Sequence, residues 1–535
     1  MQAGGHSELR GPGSARIRGA VGPTRALTVW DVQGYRVAEL LSGWTICVLV
    51  IFSPWAFGTT QPWAIWVMNC GGYLLGILAL HKRLIRKLKG YWPPRWDKDS
   101  EREGIAFANS GMPVEERRHS ERSWLEVGRL TSLLTALTIS ILGFCYISAL
   151  NAYSTYVPGT LSFRYHHCLT WLPHSFDSTR SWVAFWSYLA LAGSFWGVQD
   201  WLIGKSSDEM QAGRHNAGRS AFFFPARLRG LLWLLAINGG LLGLEAIIQR
   251  AEGSNRLLFL VLPHTNQEAL DQFGPFAYRG SAASYFNLLW PVTVGFWWML
   301  HQTRGRGRIG HHCLLVCAGI MAACPLISSS RGGALVGAVI LILAALLLTG
   351  THFLFAPRRS EDEGNRRKAL VLVLLFCAGA FALGISLGWK SLKPRLELLD
   401  SGFADREHIC DTARPMTKDY PIFGTGPGTF ETVFHLYRAS TETYWPAQLH
   451  NDWLETRITF GLAGSALIGL ALATVIVRWF GRGGIHGGRR FVILTWLALA
   501  GCMVHARFDF PFQIYSIVFL FLLLCAILFN LSRRG

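Results

Sequence analysis

The residue types able to do chemistry gather in four short segments of this sequence. The first, YRGSAASYFNLLWP (278–291), opens an apolar stretch with Arg279 and carries Asn287 about two turns deeper. Such a pair is either a snorkelling cation with an interhelical amide, or a cation and a positioning group for an anion at a membrane edge. The second, ISSSRGGALVG (327–337), joins two apolar stretches through a few residues centred on Arg331. Ser328, Ser329, Ser330 and two glycines surround that arginine. Exposed backbone N–H groups beside a guanidinium suit an anion, although a Gly-rich turn with a solvated Arg has the same composition.

The third segment is a long polar stretch with Arg406, Arg414, the turn-rich PIFGTGPGTF (421–430) and then QLHNDWLETRITFGLAG (448–464). His450 stands just ahead of an apolar run, and histidine is the natural proton acceptor near neutral pH. Asn451, Asp452 and Glu455 follow, able to orient the ring or to bind hydroxyl groups. Asp452 lies two residues from His450, so the two do not share a helical face and do not read as a dyad. The fourth segment, VHARFDFPF (504–512), places His505 and Asp509 at i, i+4, where they can pair on one helix face as polar glue.

The elements that must position these groups are apolar. Of the 535 residues, 51% are hydrophobic and 16% charged, against roughly 25% charged in soluble proteins. Apolar runs of about 20 residues recur, each long enough to cross a hydrocarbon core as a helix. Twelve are read, near 38–58, 62–81, 130–151, 181–203, 229–249, 281–301, 312–329, 334–356, 369–389, 459–480, 491–508 and 511–530. The fold expected is all-α: a polytopic membrane bundle of about 12 transmembrane helices. Its divisions are an N-terminal tail (1–37), nine helices with their loops (38–389), one long folded outer loop (390–458), three helices (459–530) and a short tail (531–535). A disordered chain, a secreted disulfide scaffold and a plain cytosolic enzyme are excluded.

The formal net charge is +18. With the N-terminus in the cytoplasm, inner segments carry 33 of the 51 Lys and Arg residues and outer segments 14. That is the bias of the positive-inside rule, so the basic balance is topological and not a nucleic-acid surface. Residues 1–30 are rich in Gly and Arg without an apolar core, so no cleavable signal is expected and the first span is retained. Nine of the eleven cysteines fall in spans; Cys168 and Cys410 lie in outer loops, where they either pair or remain free thiols. No Cys/His spacing suggests a metal, and no cofactor is expected.

Taken together and in order over roughly 275–515, these segments resemble the O-antigen ligase and O-antigen polymerase superfamily of bacterial membrane glycosyltransferases. The sharpest parts are the Ser-Arg-Gly turn at 330–332, the run Pro421–Phe430, and His450-Asn451-Asp452-Trp453-Leu454 before a Gly-rich span. Gln448 stands where members often have a second His, Thr459 where an acidic residue usually precedes the aromatic–Gly pair, and Cys410 where an aromatic commonly follows the loop Arg. The resemblance implies a multi-pass protein of the bacterial inner membrane. It implies transfer of a glycan from a polyprenyl-pyrophosphate carrier to a lipid or glycan hydroxyl, such as lipid A-core, on the periplasmic face. His450 is then the general base. Arg279, Arg331, Arg406 and Arg414 are candidates for the donor pyrophosphate, because a guanidinium fork binds two oxygens. Asn287, Asn451, Asp452 and His505 position groups. Direct attack inverts the anomeric centre, and with no carboxylate cluster to hold Mg²⁺, Arg replaces the metal. A polymerase of the same superfamily, or a carrier for the same lipid, are the alternatives; a carrier is expected to show discontinuous helices and paired repeats, and the sequence shows neither.

The orientation is directly testable. Impermeant thiol labelling from outside should reach a cysteine placed at Ser440 but not one placed at Asp362. The opposite pattern overturns the orientation read from the charge bias.

Overall fold

The computed structural model describes residues 27–531 except 92, 97–113, 158, 161, 207–208, 210–223, 304–309, 355–362, 398, 439–446 and 481–487. Most of the N-terminal tail, the C-terminal tail, the labelling positions Ser440 and Asp362 and large parts of the inner loops therefore lie outside the described residues. The long helices are α1 (Val29–Trp55), α2 (Pro62–Leu88), α3 (Val114–Leu150), α4 (Ser178–Ile203), α5 (Ala226–Glu252), α6 (Arg279–Thr303), α7 (Cys313–Ile327), α8 (Arg331–Leu354) and α9 (Glu363–Glu397). Within 390–458 follow α10 (Leu399–Ala413), α11 (Met416–Asp419) and α12 (Phe430–Phe434), and then come α13 (Asp452–Phe480), α14 (Arg489–His505) and α15 (Tyr515–Leu531). Among the described residues the strands are one short antiparallel hairpin, β1 (Ser154–Val157) and β2 (Ser162–Tyr165).

A helix occupies each of the twelve apolar stretches. Among the described residues eight helices are long and apolar enough to cross a membrane, and α15 is apolar but shorter. This is an all-α, multi-pass membrane protein. Several helices run past the expected limits, each for a local reason. The first helix begins at Val29 because Thr28 and Asp31 form a reciprocal capping box. The ninth continues to Glu397, and α13 already starts at Asp452, so helix takes residues from both ends of the expected outer loop.

Helix α6 is the central post. Every residue from Gly280 to Leu300 is buried, including Trp290, Trp297 and Trp298. A helix apolar on all sides belongs inside a bundle, and neighbours α7, α8 and α14 wrap this one. Its first turn carries Arg279, so the core of the protein positions the first chemical segment. At one end of α2, Asp200 of α4 takes Lys82 (2.9 Å), Arg86 (2.8 Å) and Arg95 (3.0 Å), and Glu39 of α1 takes Lys82 (2.9 Å) and Arg227. The network locks α1, α2, α4 and α5 together where unpaired charges would be costly.

Helix α13 is broken. Gly461 sits at φ 62°, ψ −165°, a conformation essentially confined to glycine. The break strands backbone groups of Ile458, Thr459, Leu462 and Ala463. The PIFGTGPGTF turn satisfies all four: Thr425 N–H donates to Ile458 O (2.8 Å), Gly426 N–H to Thr459 O (3.0 Å), Leu462 N–H to Pro421 O (3.0 Å) and Ala463 N–H to Ile422 O (2.9 Å). Irregular backbone at membrane depth is tolerated only where it is covered in this way. The turn itself needs Gly424, Gly426 and Gly428, all at positive φ. Sequence reading finds no discontinuous helix here; the structure has one, with the backbone groups of its break bonded by the 421–426 turn.

A Cβ on Gly461 would stand 2.5 Å from Gly424 N and closer still to Ile422 O. Gly461→Ala should therefore lower the thermal midpoint in detergent, by about 1–3 kcal/mol of strain. Gly469→Ala, in the same helix with open space around it, should not. Equal midpoints for the two variants would show that the loop does not need the break.

Candidate functional site

Helix α13 starts at Asp452 because Asn451 caps it, its Oδ1 accepting from Leu454 N–H (3.2 Å). Glu455 reaches back to accept from Leu449 N–H (2.7 Å). The turn 449–451 is thus clamped on both sides, and His450 projects from it. Asp452 does not face His450. Its carboxylate accepts from Phe512 N–H (2.7 Å) and the Gln513 amide (3.0 Å), and its own N–H donates to Ala506 O (2.9 Å). Asp452 therefore holds the start of α13 against the 506–513 connection between α14 and α15.

That connection delivers the partner of His450. Nδ1 of His450 lies 3.2 Å from Oδ1 of Asp509, whose side chain is 5% exposed. The other oxygen of Asp509 accepts from the Tyr278 hydroxyl (3.0 Å) and lies 3.7 Å from His505 Nε2. Phe510 stacks on Tyr278 at 5.0 Å and meets the edge of the His450 ring at 4.9 Å. Arg406, from α10, donates to Phe508 O (2.6 Å) and to the Tyr278 oxygen (3.2 Å). Burial alone would raise the Asp509 carboxyl, but the His450 hydrogen bond, His505 and Arg406 override it and hold it down at about 2. Burial and the Asp509 charge both push the Tyr278 phenol up, so it stays a donor. An ionised aspartate can only accept, so in this bond the donor is Nδ1–H of His450.

His505 is buried and bonded at Nδ1 to Ser284 of α6 (2.6 Å). Gly332 fits against its ring: a Cβ there would lie 3.2 Å from His505 Nε2. The Ser-Arg-Gly turn is by this contact brought beside the Asp509 group. The turn is internally fixed, with Ser330 capping α8 through Gly333 N–H (3.2 Å) and Asn287 donating to Gly333 O (2.9 Å). Arg331 is the first residue of α8.

Cations also collect around Asp271. Arg279 binds Asp271 and Leu270 O (3.2 Å). Arg395, near the end of α9, lies 3.8 Å from the same carboxylate and within electrostatic reach of Arg279, Arg331 and Glu268. Arg250 ties the end of α5 to Ala269 O (3.0 Å), Gln272 O (2.7 Å) and Ser328 O (3.3 Å), and it senses Arg279 and Arg395. Four guanidiniums against two carboxylates leave a local excess of positive charge, suited to a multivalent anion.

The fold thus joins His450, Arg406, His505 and, through Tyr278, Arg279, with Arg331 one residue from the contact. Asn287, Asn451 and Asp452 bond protein groups that set the geometry. Arg414 stands apart: it pairs with Asp411 (3.1 Å) on an exposed surface of the loop. Cys168 and Cys410 are not bonded to each other. Sequence reading missed Tyr278, Arg395 and Asp271, and it assigned Asp509 to His505 alone. Asp509 is far from His450 in sequence and no periodicity links them; the bonds from Asp452 to Ala506, Phe512 and Gln513 hold their two segments together.

Residues 316–469 match the model of the family described as O-Antigen ligase. The matched stretch contains Arg331, Arg395, Arg406 and His450 but neither Arg279 nor Asp509. This match supports membership of the O-antigen ligase superfamily. No curated protein matches the chain.

The ionised Asp509 carries a testable sign. Its depressed folded value contributes stability above the ordinary aspartate range, and that contribution is lost as pH falls toward about 2. Infrared difference spectra against Asp509→Asn should show no protonated carboxyl from this residue at about pH 4, where an ordinary aspartate is near half protonated. A carboxylic-acid band that disappears in the variant would contradict the ionised dyad.

Proposed function

We propose that this member of the O-antigen ligase superfamily is a glycosyltransferase of the bacterial inner membrane, with twelve spans and its 390–458 loop on the periplasmic side. It moves a glycan from a polyprenyl-pyrophosphate carrier to the hydroxyl of an acceptor, lipid A-core or a similar glycolipid. The observation that carries this reading is the His450–Asp509 dyad beside the arginine group, at the loop between the membrane helices.

The acceptor hydroxyl gives its proton to Nε2 of His450 as its oxygen attacks the anomeric carbon from the face opposite the leaving group. The bond from that carbon to the pyrophosphate oxygen breaks, and the electron pair leaves with the carrier. Inversion follows from a single displacement. Asp509 keeps the ring in the tautomer with Nε2 unprotonated and stabilises the imidazolium that forms. Tyr278 and Arg406 hold Asp509 and the ring in place. Arg279, Arg331 and Arg395 bind the pyrophosphate and neutralise the charge that grows on it. Arg414, on its exposed surface, is left for the sugar or solvent side. The proton on His450 passes to water after product leaves.

A polymerase of the same superfamily would use the same groups with a growing glycan as acceptor. The outer-loop cover over the break at Gly461 favours an enzyme over a carrier, since a carrier's broken helix lines its substrate path.

Transfer rate and donor affinity, measured on the same variants with a purified polyprenyl-linked glycan, test this reading. His450→Ala should lose about 10²–10⁴-fold in rate with nearly intact donor binding. Arg279→Ala and Arg331→Ala should weaken donor binding as well as turnover. Arg331→Lys should remain severely impaired, because Lys keeps the charge but loses the two-oxygen fork. A His450→Ala variant that keeps most of its rate would remove the proposed base.

A further inference from the structure

At the other end of α6, about 33 Å along the helix from Arg279, the fold assembles a group for which the sequence spacing gave no signal. His301 lies in the last turn of α6, and His311 and His312 form the short 3₁₀ turn that opens α7. One ring nitrogen of each lies within 4.8 Å of those of the other two. His301 Nδ1 and His311 Nε2 are 3.1 Å apart. The His311 and His312 rings are 4.2 Å apart between centroids, and His311 is buried.

We propose that His301, His311 and His312 form a binding site for a first-row divalent transition metal of the Zn²⁺ class, which clips the end of α6 to the start of α7. The distances match the chemistry. Imidazole nitrogens bind Zn²⁺ at about 2.0–2.1 Å, so two of them on one tetrahedral ion stand about 3.3 Å apart. The His301–His311 separation is already close to that. Neutral imidazole suits Zn²⁺, Cu²⁺ and Ni²⁺, whereas Mg²⁺ and Ca²⁺ need oxygen ligands. Trp297, one turn before His301 on α6, stacks on the His301 ring at 5.2 Å and donates its indole N–H to His312 Nδ1 at 3.3 Å. That bond makes Nδ1 of His312 an unprotonated acceptor, and a metal bound there would displace the indole N–H. Three ligands from two helix ends leave a fourth position for water.

The site is separate from the His450 group, so it carries no step of transfer. Its consequence is mechanical. The central helix is anchored at one end by the Asp509 and arginine groups, and the metal fixes the other.

The full-length protein in detergent, stripped with a chelator, is titrated with Zn²⁺ by calorimetry and with Co²⁺ by visible absorption. We expect one saturable Zn²⁺ equivalent, a Co²⁺ spectrum of tetrahedral nitrogen ligation, no response to Mg²⁺, and a rise in thermal midpoint with Zn²⁺. His311→Ala should lose all three signals. His312→Phe keeps an aromatic ring in place without a ligand atom and should lose the spectrum even where His311→Ala fails to fold. His166→Ala/His167→Ala, in an outer loop, should keep them. Undiminished Zn²⁺ and Co²⁺ responses in His312→Phe, or no saturable equivalent in the wild type, overturn the assignment.

Discussion

The Asp509 carboxylate is the interaction on which the rest of the site depends. One oxygen holds His450 from the turn before α13, and the other holds Tyr278 at the start of α6 and faces His505 at the end of α14. Arg406 of the 390–458 loop closes the ring through Phe508 O and the Tyr278 oxygen. Three helices and the loop therefore meet at one buried charge. A carboxylate so buried survives as an anion only when it is paired and hydrogen-bonded, so the same contacts that stabilise the charge also fix the imidazole. Removing any one of them leaves a buried group unpaired, which costs more than the bond itself contributes.

The outer loop depends on the membrane helices as much as they depend on it. The break at Gly461 exposes backbone groups that lipid cannot satisfy, and the glycine-rich turn supplies them. In return the break and Asn451 set where the helix before it begins, and thus where His450 points. The cation group obeys the same logic. Arg279, Arg395 and Arg250 come from three helices and converge because Asp271 and the backbone carbonyls of 269–272 collect them.

Much of this was legible in the sequence. Helices occupy the stretches that hydropathy marks, and among the described residues eight of them are long and apolar enough to cross a membrane, because apolar length is the main constraint a bilayer imposes. His450, Arg279, Arg331 and Arg406 stood out because polar groups beside apolar runs are rare and need a reason. What stayed hidden is long-range. His450 and Asp509 come from different segments, held together by the contacts of Asp452 with 506–513, which a local pattern cannot show. Arg395 reads as one more loop cation until α9 is seen to extend to Glu397. Asn451 and Asp452 looked like ligands for hydroxyl groups, yet both spend their oxygens on backbone and side-chain donors of this chain. Capping and tethering leave the same residue types in a sequence as binding does.

The claim at the centre is that Asp509 acts through His450 and through nothing else on the reaction path. A double-variant cycle on transfer rate tests it most directly, with His450→Ala, Asp509→Asn and the two combined, each checked for normal abundance and donor binding. If the carboxylate works only by holding and charging the imidazole, the double variant is no slower than His450→Ala, and the two losses do not multiply. If the double variant loses the product of the two single effects, Asp509 has a role independent of His450 and the dyad is not the catalytic unit.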